Sequence, residues 1–567
     1  MYTASHSNQW LQLLFFILLF VGLAPFLGKY IANVFEGKTT WVHRYLGWLE
    51  RLSYRAGGIN PYQEMTPVSY GKALLLLNIF GFLAVFLLQL CQNFLPLNPQ
   101  NFAAVPWPLA FNTAISFVTN TNWQSYSGET TLSYLVQMSG LTVQNFLSAA
   151  TGGSALIALI RGFTRKTQET IGNFWADLVR QIVYLLLPLS ILFAIVLVSE
   201  GVIQNFSPYV EVTTLENAKQ TIPLGPVASQ IAIKQLGTNG GGFFNTNSAH
   251  PFENPTAITN FLELLAIILI PSALVFTYGR LIGSKKHAWM LFGMMFVLWL
   301  GGIALSLYAE HVHNPVLTFS PVLEGLETRF GITDSVLWSV STTATANGSI
   351  NGMLSSLSPL AGAISMFNIM VGELIFGGVG VGMCSMIMFV LLTVFLSGLM
   401  VGRTPEYFGK KIEKREMRWV SIAVLMQGVL ILIGAGISSV MPQALSSLGN
   451  QGPHGLSEIL YAFSSCAGNN GSAFAGLNAN TDYYNISLGV VMLIGRISII
   501  FPSLAVAGLL AKKKTIPPSE GTFSADTLLF TVLLLGTILI IGALTFSPAQ
   551  ILGPIVEHFL MLQGRTF

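Results

Sequence analysis

Four polar stretches of the chain carry the residue types and the spacing that could bind a dehydrated monovalent cation. Each is rich in Asn, Gly and Thr, follows a short apolar run typical of a half-helix, and precedes a long hydrophobic segment. An asparagine recurs where each stretch turns, and glycine follows it in three of the four. Such regular spacing predicts an internal repeat. The four asparagines are Asn122, Asn239, Asn347 and Asn470.

Backbone of this composition can turn rings of carbonyl oxygens toward a central ion and so replace its hydration shell. Glycine supplies the positive φ that such a loop demands and allows a close approach to the axis. The half-helices end at the loops, so their partially negative C-termini would face a cation. Potassium is the expected ion, because hard divalent cations prefer carboxylates, which the loop tips lack. For one loop alone, a polar turn over a helical bundle remains the alternative.

The elements that must position these loops are predicted to lie in a bilayer. The chain is 52% hydrophobic and 9% charged, whereas soluble domains carry roughly 25% charged residues. We therefore predict an all-α, multi-span membrane protein with four span–pore-loop–span repeats around a pseudo-fourfold axis, since a span needs about 20 apolar residues. The predicted half-helices are 106–117, 226–236, 333–341 and 454–465, and the predicted spans are 8–34, 71–95, 131–160, 178–200, 257–282, 288–309, 361–401, 419–441, 484–511 and 525–546.

Charge predicts the orientation of these spans. Most of the 27 Lys and Arg residues lie in the connections after spans 1, 3, 5, 7 and 9. The positive-inside rule places those connections in the cytoplasm and both chain ends outside. The opposite connections have an acidic excess, which would concentrate cations near a pore mouth. The first segment lacks a basic region before its apolar run, so we interpret it as a true span and not a cleaved signal peptide.

The repeats divide the chain into six predicted segments. The first and last hold the outlying spans, and the four between them each hold one pore loop. The segments are 1–70, 71–170, 171–287, 288–418 with a broken helix, 419–514 and 515–567.

Span 7 is predicted to break inside the membrane. It is twice the usual length and contains Gly377, Gly378, Gly380 and Gly382, and each glycine costs about 1 kcal/mol in a helix interior. We expect an unwound segment that crosses beneath the loops and gates the ion. Close packing of helices through small residues is the alternative.

Two ionisable residues, Glu373 and Arg496, lie at the predicted depth of this break. Such groups usually face a bundle interior or a wet cavity and mark an ion path. Arg496 would oppose free cation flow, and Glu373 could attract the ion into a side tunnel. A structural salt bridge between them is the alternative. Glu263, in span 5, is interpreted as a satisfied contact between helices.

The sequence resembles the potassium-binding subunit family of the bacterial Kdp potassium-transporting ATPase over essentially its whole length. The most specific stretches are 237–255 (GTNGGGFFNTNSAHPFENP), 119–129 (TNTNWQSYSGE), 466–476 (CAGNNGSAFAG) and 402–411 (GRTPEYFGKK). The resemblance implies a fold related to potassium channels and to the Trk/Ktr/HKT translocators. It also implies location in the bacterial cytoplasmic membrane.

The same resemblance implies which residues form a potassium filter; no other metal site is expected. Matched motif by motif, they are Asn120, Thr121, Asn122, Thr238, Asn239, Gly240, Thr345, Ala346, Asn347, Gly348, Gly468, Asn469, Asn470 and Gly471.

The implied partners are a P-type ATPase subunit and two small membrane subunits. The sequence is consistent with this dependence, because it contains neither a D-K-T-G phosphorylation motif nor a G-x-x-x-x-G-K-[ST] loop. We therefore expect a chain that binds and conducts K⁺ but carries no nucleotide and does not hydrolyse ATP alone. The basic cluster 403–418 is expected to contact anionic lipid and to dock the ATPase subunit. No nucleic-acid partner is expected.

Two other functions remain open. A Trk/Ktr-type translocator shares the four loops but typically has eight core spans. A secondary transporter would have repeats of opposite topology, whereas these four loops all enter from one side.

Overall fold

The computed structural model describes residues 2–317, 322–517 and 524–565. Within these ranges, ten helices are long and apolar enough to cross a membrane, which confirms the predicted all-α, multi-span class. We number them span 1 to span 10. Their bounds are Trp10–Phe35, Pro67–Leu90, Val136–Thr164, Phe174–Ser199, Ala257–Leu281, Lys285–Glu310, Val381–Val401, Lys414–Ser438, Asp482–Ala511 and Leu528–Leu562.

Four shorter helices confirm the predicted half-helices, and we call them pore helices 1 to 4. Proline stands at or just before the start of three of them, where its missing N–H and fixed φ suit the first turn. Each ends where the sequence turns from apolar to polar. Their bounds are Trp107–Val118, Val227–Leu236, Gly331–Ala344 and Gly452–Ala467.

Packing of the pore helices confirms the span–half-helix–span unit. Pore helix 1 packs against spans 2 and 3, pore helix 2 against spans 4 and 5, and pore helix 4 against spans 8 and 9. Pore helix 3 packs against span 6 and against a shorter helix, Pro359–Met370, that precedes span 7. Span 1 lies along span 5, and span 10 contacts spans 6 and 7, so these two spans lie outside the repeats.

The predicted break in span 7 is present, but it begins before the glycine run. The helix Pro359–Met370 ends first, and span 7 resumes at Val381. We call residues 371–380 the floor segment. Its backbone reverses at Gly372 (φ +94°) and Glu373 (φ +58°), five residues before the glycine run begins, because Gly372 readily adopts the left-handed conformation.

The basic connections meet at one end of the bundle, which we call the basic face. Lys410 is fully buried there and donates to the carbonyl oxygens of Arg165 and Lys513, both at 2.6 Å. Lys410 belongs to the basic cluster 403–418 that is predicted to dock a partner. In the structure it instead joins three connections of this chain. This end also carries an amphipathic helix, Trp41–Ala56, whose exposed face includes Trp41, Tyr45 and Trp48.

The remaining elements are small. Two hairpins pair Val210–Thr213 with Lys219–Ile222 and Glu406–Tyr407 with Lys410–Lys411, both antiparallel. Spans 3, 4 and 10 contain π-helical turns at Val136–Thr142, Ile182–Leu186 and Ile551–Ile555. Short helical turns lie at Gln92–Phe94, Gly128–Thr131, Asn247–Ala249, Leu354–Ser356 and Pro442–Leu445.

Candidate functional site

The four loops that follow the pore helices share one backbone conformation. In each, a left-handed residue is followed by an ordinary one and then by a second left-handed residue. The four loops therefore bend their backbones in the same way. The first left-handed residues are Asn120 (φ +62°), Thr238 (+48°), Ala346 (+48°) and Asn469 (+49°), and the second are Asn122 (+53°), Gly240 (+84°), Gly348 (+89°) and Gly471 (+94°).

This shared conformation corrects the predicted register of loop 1. In loops 2, 3 and 4 the middle residue donates its backbone N–H to the carbonyl five residues earlier, as in the bond from Asn239 to Lys234 at 2.9 Å. In loop 1 the residue that does so is Thr121, which bonds the Ser116 oxygen at 2.9 Å. Aligning Asn122 with the other three asparagines is therefore wrong by one residue. Asn122 occupies the position that glycine holds in the other loops.

Three glycines close the loops into a ring. A Cβ on Gly240 would lie 1.9 Å from the carbonyl oxygen of Asn347, and one on Gly348 would lie 2.0 Å from that of Asn470. A Cβ on Gly471 would lie 2.0 Å from the Thr121 oxygen. Real Cβ contacts are never this short, so loops 2, 3 and 4 each require glycine where they meet the next loop.

Loops 1 and 2 complete the ring through side chains. The Asn120 amide donates to the Thr238 oxygen at 2.9 Å, and the Gln124 amide donates to the Gly242 oxygen at 3.0 Å. The loops therefore follow one another around the ring in chain order. All the residues predicted as filter lie in this ring or one position before it, where Thr345 and Gly468 end pore helices 3 and 4.

The asparagine amides of loops 3 and 4 are scaffold groups. Asn470 donates its amide to the Thr342 oxygen of the preceding pore helix at 2.9 Å, and Asn347 likewise donates to the Lys234 oxygen at 3.3 Å. Each side-chain oxygen accepts the backbone N–H two residues later, from Ser349 at 2.9 Å and from Ser472 at 3.0 Å. Because these amides are occupied, the backbone carbonyls are the groups left to face an ion.

Loop 2 is braced differently, by residues that the sequence prediction missed. The Asn247 amide donates to the Gly240 oxygen at 2.6 Å, and Asn247 in turn accepts from the buried amine of Lys234 at 2.6 Å. Lys234 also pairs with Glu253 at 2.6 Å, and both side chains are fully buried. The signal was present in the sequence as a lysine inside an apolar half-helix, followed by a glutamate within the most specific stretch.

The floor segment lies directly against loops 2 and 3. The backbone N–H of Val379 donates to the Thr238 hydroxyl at 3.0 Å, and that of Gly377 donates to the Ala344 oxygen at 2.9 Å. A Cβ on Gly378 would lie 3.9 Å from that of Ala346. The unwound chain is therefore bonded to loop 2 and to the end of pore helix 3.

The floor segment also packs on span 3. A Cβ on Gly380 (φ +81°) would lie 2.2 Å from the carbonyl oxygen of Gly152. Gly382 falls in the first turn of resumed span 7, where a Cβ would lie 2.4 Å from the Phe376 oxygen. These glycines permit close approach of backbone to backbone, so the small-residue packing alternative and the break are both present.

Glu373 and Arg496 both lie near the contact between the floor segment and span 3, but they do not form an ion pair. Glu373 accepts from the backbone N–H of Gly378 at 3.2 Å, and Arg496 donates to the Ser148 oxygen at 3.2 Å. The Arg496 guanidinium lies 3.1 Å from the position of a Cβ on Gly152. Among the ion pairs of the described residues, none joins the two groups within 4.0 Å, so the structure shows no direct salt bridge between them.

The acidic residues of the pore-loop end are partly structural. Glu253 is bound to Lys234, and Glu458 accepts from the backbone N–H of Gly449 at 3.1 Å. Glu129 accepts from the backbone N–H of Asn245 at 3.0 Å, and burial raises the pKa of its carboxyl group. The acidic excess read from the sequence therefore overstates the charge that faces an approaching cation.

Known proteins resemble this chain over nearly its whole length. The model of the family described as "Potassium-transporting ATPase A subunit" matches residues 14–559. A protein of Leptospira interrogans is 53% identical over 562 residues, covering 99% of this chain and 100% of the relative. One of Pseudomonas syringae pv. tomato is 52% identical over 558 residues, covering 98% and 99%. Both are named "Potassium-transporting ATPase potassium-binding subunit". The potassium transporter TrkH of Vibrio parahaemolyticus aligns with a TM-score of 0.47 at 14% identity, over 73% of this chain and 83% of that one.

Proposed function

The chain belongs to the potassium-transporting ATPase A subunit family, and from that premise we propose that it forms the K⁺-selective filter of an ATP-driven potassium uptake complex. It takes K⁺ at the pore-loop end and delivers it inward together with a P-type ATPase subunit, without hydrolysing ATP itself. The observation that carries this proposal is the ring of four loops, each packed through glycine or amide contacts on the next.

The ring supports backbone coordination of a dehydrated K⁺. Side-chain amides of loops 3 and 4 are occupied by scaffold bonds, which leaves carbonyl oxygens as ligands. The pore helices end at the ring, so their partially negative ends favour a cation there. The proposed filter consists of residues 120–122, 238–240, 345–348 and 468–471.

We also propose that the floor segment gates the ion after the filter. Glu373, Gly377, Gly378, Gly380 and Gly382 form this segment and its return to span 7. Arg496 adds a fixed positive charge beside Gly152, the residue on which the floor packs. A cation that leaves the ring therefore meets closed backbone and a like charge, which opposes passive flow.

The remaining assignments are proposals of the same standing. We place the basic face in the cytoplasm and both chain ends outside, on the positive-inside rule. The membrane is the bacterial cytoplasmic membrane, and the partners are the P-type ATPase subunit and two small membrane subunits. Anionic lipid binds the basic face, where Trp41 and Tyr45 are exposed beside basic residues. The division into six segments follows the four repeats.

Identity with the relatives over nearly full length favours this function over a Trk/Ktr-type translocator or a secondary transporter. The test is Gly240→Asp in the complete complex, measured as ATP hydrolysis stimulated by K⁺ and by Na⁺. An acidic group in the ring raises its field strength, so discrimination for K⁺ over Na⁺ should fall by about 100-fold, equivalent to about 2.7 kcal/mol.

Gly37→Asp is the matched control. Gly37 has a similar left-handed backbone (φ +73°), and no atom lies within 4 Å of a Cβ there. This variant should behave like the wild type. Unchanged discrimination in Gly240→Asp, in a complex that assembles, would overturn the filter assignment.

A further inference from the structure

A fully buried lysine lies behind loop 2. The Lys234 amine donates to the Asn247 side-chain oxygen at 2.6 Å, to the Ser248 hydroxyl at 2.7 Å and to Glu253 at 2.6 Å. An ammonium group has three donors, and all three are used here. The lysine is therefore held in one position.

The other three repeats place a hydroxyl residue where repeat 2 has this lysine. The Thr342 and Ser465 hydroxyls accept the backbone N–H of Gly348 and of Gly471, both at 2.9 Å. In repeat 1, the Ser116 hydroxyl donates to the Trp123 oxygen at 2.9 Å. Each hydroxyl thus braces its own loop directly, and a lysine ammonium group at that position cannot accept a backbone N–H as Thr342 and Ser465 do.

Asn247 supplies the missing brace in repeat 2. Its amide donates to the Gly240 carbonyl oxygen at 2.6 Å, while its own side-chain oxygen accepts from Lys234 and from the Ser248 N–H at 2.9 Å. The ammonium fixes which end of the amide faces Gly240, because only the oxygen can accept from Lys234. A charge-assisted bond also makes this orientation stronger than a neutral contact would.

The same cluster reaches loop 3. Ser248 donates to Glu263 at 2.8 Å, and Gln235 donates to that carboxylate at 2.8 Å. The oxygen of the Gln235 side chain accepts from the Ser349 hydroxyl of loop 3 at 3.0 Å. Lys234 therefore reaches the ring at Gly240 through Asn247. Glu263 reaches loop 3 at Ser349 through Gln235.

Stability alone is a weak reason to bury this ion pair. Desolvation of two charges offsets most of their attraction, and apolar replacements of buried pairs are often neutral or stabilising. The hydrogen bond from Asn247 to the Gly240 oxygen is not needed for stability. It is explained if the buried pair serves to hold the Gly240 carbonyl in one orientation.

We infer that Lys234, acting through Asn247, is a positioning residue that fixes the Gly240 carbonyl and thereby sets the ion selectivity of the ring. The inference rests on the proposed filter function. When this carbonyl is released, it can rotate, so the ring should accept K⁺ less well and reject other monovalent cations less strictly.

The test is Asn247→Asp in the complete complex, measured as ATP hydrolysis stimulated by K⁺, Rb⁺ and Na⁺. Aspartate keeps the acceptor for Lys234 but loses the donor to Gly240. We expect the KM for K⁺ to rise about tenfold, which is the effect of a lost bond worth about 1.4 kcal/mol. The preference for K⁺ over Rb⁺ and Na⁺, measured as the ratio of their KM values, should fall. Turnover at saturating K⁺ should stay within about twofold, because the bond acts on binding.

Asn254→Asp is the matched control. Asn254 belongs to the same stretch and donates to the Ser248 oxygen at 3.1 Å, with no bond to the ring. It should leave KM and discrimination unchanged. Asn247→Gly is a second test, since glycine tolerates the left-handed backbone of Asn247 (φ +55°) and removes the amide altogether; it should reproduce the selectivity change.

Unchanged KM and discrimination in both Asn247 variants would overturn the inference. So would failure of both to assemble while Asn254→Asp assembles, because the cluster would then serve folding. If Gly240→Asp changes selectivity and the Asn247 variants do not, only the positioning role fails. If Gly240→Asp also has no effect, the proposed filter itself fails.

Discussion

The four loops and the floor segment are both non-helical backbone inside a membrane protein, yet they are held in different ways. Backbone of this kind persists only where protein or water satisfies it. The loops are bonded to their own pore helices and packed on their neighbours, so a change in one loop meets a carbonyl of the next. The floor segment is tied to the ring through Gly377 and Val379, and rests on span 3 at Gly380.

On the proposed function, this difference separates the selection of the ion from its passage. Selection between ions of similar size requires carbonyls that keep their positions, and the cross-bonded ring supplies that. We propose that passage depends on the floor segment, whose backbone donates two hydrogen bonds to the ring side, to Ala344 and to Thr238. The glycines serve the two tasks differently: in the ring they allow contact between loops, and in the floor they allow the chain to unwind.

Gly348→Ala should break the ring most completely. The substitution costs about 1–2 kcal/mol for the left-handed backbone alone, and its Cβ would lie 2.0 Å from the Asn470 oxygen. We expect K⁺-stimulated ATP hydrolysis by the complete complex to fall about 100-fold, corresponding to about 2.7 kcal/mol. Gly402→Ala, with φ +70° and open space around its Cβ, isolates the backbone cost and should remain active. Equal losses in both would show that the contact between loops is unimportant.

Gly380→Ala should disturb the floor while leaving the ring intact. Its Cβ would lie 2.2 Å from the Gly152 oxygen, and its φ is +81°. We expect turnover to fall about tenfold, about 1.4 kcal/mol, with little change in the KM for K⁺. Gly283→Ala is the matched control, since Gly283 has a similar φ of +82° and nothing lies within 4 Å of a Cβ there. A change in ion discrimination without loss of turnover would place Gly380 in the filter and not in the floor.

Arg496→Gln should raise passive K⁺ flux. The shorter, neutral amide removes the positive charge beside the floor together with the hydrogen bond to the Ser148 oxygen. If that charge contributes about 1 kcal/mol to the barrier, flux through the complex in vesicles without ATP should rise about fivefold. Selectivity should not change, because Arg496 does not contact the ring. Arg418→Gln, at an exposed site of span 8, controls for loss of charge; no increase in flux would remove Arg496 from the barrier.

The spans, the half-helices and the break in span 7 could be predicted because composition and length determine them locally. The register of loop 1 could not, because Asn120 and Asn122 both resemble the recurring asparagine and only the backbone bonds choose Thr121 between them. Alignment by residue type cannot choose between Asn120 and Asn122. The backbone φ angles show that Thr121, which lies between them, is the middle residue of loop 1.

The bracing of loop 2 also could not be predicted from the sequence, for a different reason. Lys234 and Glu253 are 19 residues apart, and their contact depends on how the extended stretch between them folds back. The stretch 237–255 is one of the four most specific stretches of the chain, but a specific sequence does not reveal which residues are in contact. The same limit applies to Lys410, which the sequence places in an exposed basic cluster and the fold buries.

Thr238→Val tests the point at which ring and floor touch, and its effect should be the smallest. The hydroxyl accepts the Val379 N–H at 3.0 Å, and valine keeps the shape but leaves that donor unpaired. The unpaired group weakens the contact by about 1 kcal/mol, so we expect the KM for K⁺ and the turnover each to change by about threefold or less. Thr238→Ser keeps the acceptor and should restore wild-type values. If serine and valine behave alike, the hydroxyl does not join the two segments, and the ring and the floor act independently.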